Sequence, residues 1–207
     1  MRLSVDSGTI DGDLVVPDGA RGVVCFAHGS GSSRHSSRNK RVAAALRRAG
    51  FAALLFDLLT AQEELVDERT RALRFDIGLL GRRLMMVTDA LASERQVRDL
   101  PVGYFGASTG AAAALVAAAE RPHVKAVVSR GGRPDLAGDA LGRVFAPTLL
   151  IVGALDHEVL ALNREAAARI PGPTELVIVP GATHLFEEPG ALDLVADVAT
   201  RHFTRYV

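Results

Sequence analysis

Three residues of this chain, taken in order, have the chemistry of acyl transfer: Ser108, Asp156 and His184. Ser108 stands in Gly106-Ala107-Ser108-Thr109-Gly110, after the apolar run "PVGYF" and before the alanine-rich run "AAAALVAAA". This is the G-x-S-x-G pattern in the strand–turn–helix setting that an exposed nucleophile needs. The requirement is steric. A serine on a tight turn stands clear only if the residues two positions away are small. The helix that follows then turns its first N–H groups toward the reacting oxygen. A plain turn rich in small residues would look the same locally, so residues elsewhere must decide.

A serine hydroxyl is a weak nucleophile unless a base takes its proton. His184, in "VPGATHLFEEPG", lies just past the last apolar run. His28, His35 and His157 also lie near the ends of apolar runs. His157 directly follows Asp156, and adjacent residues are awkwardly placed to act as orienter and base. His28 reads instead as a residue that shapes an oxyanion loop. The base needs a carboxylate to hold its tautomer. Asp156 ends "LLIVGALD", where it could also cap a helix; Glu158 and Asp135 are lesser candidates. The chain order Ser108, Asp156, His184 is the one expected for a serine nucleophile on a parallel sheet. The oxyanion needs two N–H donors. The expected ones are Thr109, next to the nucleophile, and Ser30 in "HGSGSS".

Positioning these residues is the task of the elements between them. Apolar runs near residues 21–29, 51–57, 100–106, 124–132, 146–156 and 174–184 read as strands, and two shorter strands precede them. Amphipathic stretches near 38–50, 77–93, 109–122, 158–170 and 190–207 read as helices. The polar stretch 58–76 is long for a connector, with room for a helical turn, and 135–144 reads as a short helix at best. Strands alternating with helices predict an α/β fold: a mostly parallel sheet of about eight strands, helices on both faces and no cap domain. Residues 1–207 are expected to form a single domain. Right-handed crossovers put the strands' C-terminal ends on one edge, where ligands bind in open sheets. His28, Asp57, Ser108, Arg130, Asp156 and His184 all fall there.

The bulk numbers exclude several function classes. The chain has 24 basic and 24 acidic residues, so a general electrostatic grip on nucleic acid or an anionic membrane is not expected. One cysteine, Cys25, allows no internal disulfide. The first residues lack the apolar core of a signal peptide, and no run is long enough to span a bilayer; the expected location is the cytoplasm. There is no HExxH or CxxC, and no metal or other cofactor is expected. The expected partner is a small-molecule ester or lactone, with the oligomeric state left open.

The elbow, the "HGSG" loop, "VGALD" and "GATH" occur in the order found in α/β-hydrolases, and the chain resembles that superfamily over nearly its whole length. Its size and lack of a cap resemble the dienelactone hydrolase-like branch. The resemblance implies the hydrolysis of esters or lactones without a metal. Dienelactone hydrolases proper have a cysteine nucleophile and a glutamate in the loop after the third strand. This chain has Ser108 and "HGSGSS", so serine carboxylesterase chemistry is what carries over. A transacylase, a thioesterase or a promiscuous phosphotriester hydrolase would use the same residues. A non-catalytic binding protein could keep the fold. Cations near the same edge, Arg130 and Arg133 in "SRGGRPD" and His35 beside Arg38 in "SRHSSRNKR", are candidates for reading an anionic substrate group.

Overall fold

Largely apolar runs form the centre of the sheet. In the computed structural model, which describes residues 1–207, β3 (Gly22–Ala27) and β4 (Phe51–Phe56) are buried at every position. So are β6 (Ala126–Arg130) and β7 (Thr148–Gly153). With β1 (Arg2–Val5), β2 (Gly8–Val15), β5 (Val102–Ala107) and β8 (Thr174–Val179) they make one eight-stranded sheet. Its order is β1-β2-β4-β3-β5-β6-β7-β8. The first two strands run antiparallel to their neighbours and the rest are parallel. The fold is that of an α/β-hydrolase.

Side chains alternate across each strand, so a continuous apolar run feeds two cores. Val23, Cys25 and Ala27 point to one face, with α3 (Ile77–Leu91) and α4 (Thr109–Glu120). Val24 and Phe26 point to the other, with α1 (Ser37–Arg48) and α6 (Ala191–Tyr206). The alanine run of α4 lets that helix lie close to the sheet: Ala111 to Ala114 are fully buried. α5 (His157–Arg169) packs beside β7 and β8.

The polar stretch 58–76 holds more than a helical turn. It forms α2 (Ala61–Thr70) and a 3-10 segment, Leu73–Phe75. The missed signal is Thr60-x-x-Glu63, a capping box in which the Thr60 hydroxyl accepts from the Glu63 N–H and the Glu63 carboxylate accepts from the Thr60 N–H. Apolar burial does not hold this helix, since Asp67 is its one buried residue. Charge does. Arg83, wholly buried on α3, donates to Glu63 and to Ser7, each at 2.6 Å, and pairs with Asp6. Residues 134–143 form a 3-10 segment broken at Gly138, where φ is 55°. No helix is long and apolar enough to cross a membrane.

The chain passes from β3 to β4 on one side and returns to β5 on the other. The loops after β3 and β5 therefore splay apart over a topological switch point, which is where open α/β sheets bind ligands.

Candidate active site

Ser108 joins β5 to α4 with φ 50° and ψ −120°, a backbone region that side chains avoid. Three backbone bonds hold it there: its N–H donates to Arg130 O at 3.2 Å, and its carbonyl accepts from Ala111 and Arg133, each at 3.1 Å. The flanking glycines are required by contact. A Cβ on Gly106 would stand 2.4 Å from Ala111 Cα, and one on Gly110 would stand 2.3 Å from Ala27 O. Gly29 is similar, since its Cβ would meet Ser108 Cβ at 3.1 Å. The turn thus presses against the end of β3, which brings the "HGSG" loop beside Ser108.

His184 and Ser108 line the same cleft, of about 230 Å³, without a direct hydrogen bond between them. The His184 Nδ1–H donates to Asp156 Oδ2 at 2.6 Å, which leaves Nε2 for the cleft. Asp156 precedes α5 but makes no side-chain cap bond, so its carboxylate serves His184. The Gly153 Cβ position lies 2.3 Å from Ala182 O, and this close packing of the loops after β7 and β8 brings the two residues together.

The backbone N–H groups of Ser30 and Thr109 have no protein acceptor. Ser30 lines the cleft and also a narrow recess behind the loop, and Thr109 lines that recess. His28 braces the same loop. Its Nε2 accepts from the Leu58 N–H at 3.0 Å and its Nδ1 meets Gly29 O at 3.0 Å. Burial lowers the pKa of His28, in keeping with a neutral ring that needs Nε2 as an acceptor.

The three cationic candidates separate. Arg130 lines the cleft and is 8% exposed. Arg133 does not line it, because its guanidinium forks onto Asp135 at 2.8 and 2.7 Å. His35 is exposed, faces Lys40 Nζ at 3.4 Å and also lies outside the cleft. Ser36, Arg38 and Asn39, from the start of α1, do line it. The available signal for Ser36 was its cap position: its hydroxyl accepts from the Asn39 N–H at 3.3 Å.

The model of the dienelactone hydrolase family matches residues 10–207. A crystal structure of a dienelactone hydrolase from Anabaena variabilis superposes with a TM-score of 0.98 and 58% identity, over 100% of this chain and 96% of that one. Est1E from Butyrivibrio proteoclasticus shares the fold, with a TM-score of 0.81 at 16% identity over 99% and 97% of the two chains. A Mycobacterium tuberculosis protein provisionally named a phosphoribosyl transferase is 64% identical over 195 residues. That match covers 94% of this chain and 43% of the mycobacterial protein, so the chain spans less than half the length of this relative.

Proposed function

The chain belongs to the dienelactone hydrolase family, and we propose that it is a serine hydrolase of small carboxylic esters or lactones. One observation carries the reading. Ser108 is held in a strained turn, in one cleft with a histidine whose other ring nitrogen bonds Asp156 at 2.6 Å. His184 Nε2 takes the Ser108 proton as Oγ attacks the acyl carbon. The N–H groups of Ser30 and Thr109 hold the oxyanion. Collapse breaks the ester C–O bond, and His184 returns the proton to the leaving alcohol. Water, deprotonated by His184, then attacks the acyl-enzyme and releases the acid. Asp156 stays ionised and keeps the ring oriented. A cleft of about 230 Å³ suits a small acyl group.

The mycobacterial relative's name covers a protein of which the match is 43%. That name therefore does not decide the activity of the matched part. The test is Ser108→Ala, which should abolish turnover of p-nitrophenyl acetate and labelling by a fluorophosphonate. Labelling that persists at another residue would refute the assignment.

A further inference from the structure

Arg130 ends β6 in register with Ala107, the residue before Ser108, and so enters the cleft beside the nucleophile. Its Nη1 is buried without a hydrogen-bond partner, and its charged neighbour is another cation, Arg38. Burial, with Arg38 adding to it, pushes Arg130 down to about 10. The contrast with Arg83 is direct: that buried guanidinium has Asp6, Ser7 and Glu63 around it. A buried charge without a counter-charge is strongly unfavourable.

Arg38 is only partly satisfied. Its Nε is buried and unpartnered, while its Nη1 reaches the exposed Glu187 at 3.1 Å. Arg38 also belongs to the first turn of α1, a 12-residue helix whose N-terminal residues Ser36, Arg38 and Asn39 line the cleft. The N–H groups of Ser37 and Arg38 have no protein acceptor, and the positive end of the helix dipole lies there. Two guanidiniums and a helix N-terminus thus line one cleft that no carboxylate lines, and the acid paired with Arg38 is the exposed Glu187.

We infer that the cleft is built to hold a phosphate group of the substrate between Arg130, Arg38 and the N-terminus of α1, so that the ester cleaved at Ser108 belongs to a phosphorylated small molecule. The cleavage rests on the function proposed above; the phosphate site does not. The donors come from three elements: the end of β6, the first turn of α1 and Ser32 in the loop after β3. That spread suits the three free oxygens of a phosphate monoester, whose charge is near −2. A carboxylate has two coplanar oxygens, which one guanidinium fork satisfies. The phosphate is a handle only, and the bond broken is the ester C–O.

Titration calorimetry with inorganic phosphate, against sodium acetate at equal ionic strength, tests the site without any turnover. Phosphate should bind saturably, about ten-fold or more tighter than acetate, and raise Tm. Arg130→Met and, separately, Arg38→Met should each weaken phosphate binding about ten-fold or more. Without phosphate, Arg130→Met should melt no lower than the parent protein, because an unpaired buried charge has gone. Equal binding of acetate, or phosphate binding untouched in both variants, would overturn the site. A second arm compares kcat/KM for 2-acetoxyethyl phosphate with that for its neutral dimethyl phosphate ester. About ten-fold preference for the charged ester is expected, and no preference would overturn the substrate class. If neither ester is cleaved while p-nitrophenyl acetate is, the substrate class is overturned; if p-nitrophenyl acetate is not cleaved either, the hydrolase reading falls and the titration alone decides the phosphate site.

Discussion

Replacing Gly110 by alanine opposes two effects of known size. Gly110 is the second residue of α4, and in an ordinary helix the change stabilises by up to about 1 kcal/mol. Here the new Cβ would stand 2.3 Å from Ala27 O and 2.4 Å from His28 O. Carbon and oxygen tolerate about 3.3 Å, so roughly 1 Å of separation has to be found. Neither obstacle is a side-chain tip that can swing away. Both are carbonyls at the end of β3, a strand bonded on both sides, to β4 and β5. Overpacking of this kind costs about 1–3 kcal/mol, and more when backbone moves. We expect Gly110→Ala to lose about 2 kcal/mol in urea unfolding despite its better helix propensity. The displaced loop carries Ser30, so kcat/KM for p-nitrophenyl acetate should fall about a hundred-fold, as expected for a misplacement of about 1 Å. Gly142→Ala is the control, because no heavy atom lies within 4 Å of its Cβ position; it should stay within about 0.5 kcal/mol of the parent. A Gly110→Ala protein as stable and as active as the control would refute the close-packing argument.

Three further expectations follow from the site. Asp156→Asn should leave the fold intact and lower kcat by about 10³–10⁴, since the amide favours the wrong tautomer of His184; a loss under ten-fold in steady-state kinetics would remove Asp156 from the mechanism. Ser108→Gly and Ser108→Ala should both be inactive, yet the glycine variant should be more stable by about 1 kcal/mol, because glycine adopts φ 50° without the strain that alanine keeps; equal urea midpoints would show that the turn stores no strain. His28 has a native pKa below its unfolded value. The unfolded chain therefore binds the extra proton below about pH 6.5, and stability should fall as pH drops from there, with no contribution above. Protonation would also turn Nε2 into a donor facing the Leu58 N–H. In His28→Gln this part of the acid slope should vanish from unfolding measured between pH 7 and 5, while the buried His202, shifted in the same direction, keeps its own; an unchanged slope would deny His28 the role.

Much of the fold is legible in the sequence because its signals are periodic and local. Runs such as "GVVCFA" and "FAALLF" have no polar face and are too short for a helix, which points to strands covered on both sides. Once the sheet is parallel, chain order alone puts the residues after β3, β5, β6, β7 and β8 on one edge. Ser108, Asp156 and His184 could be grouped for that reason before any coordinate was known. Helix α2 was missed as a helix because it lacks the apolar stripe that most helices show; Thr60 and Glu63 were its one local signal.

The sequence pointed to Arg130 but could not settle which cations face the cleft. Arg130 stands out in the sequence because it directly follows an apolar run, but Arg133 and His35 lie near strand ends as well. Register and side-chain direction separate them: Arg130 pairs level with Ala107 and is carried inward, while Arg133, three residues on, meets Asp135. Arg38 enters from a different layer, on a helix whose start is set by Ser36. A buried charge is defined by what surrounds it, and those surroundings come from β6, α1 and the loop after β3, segments distant in the chain. Sequence determined the residue types and the edge they share. Only packing decided that two guanidiniums line a cleft that no carboxylate lines.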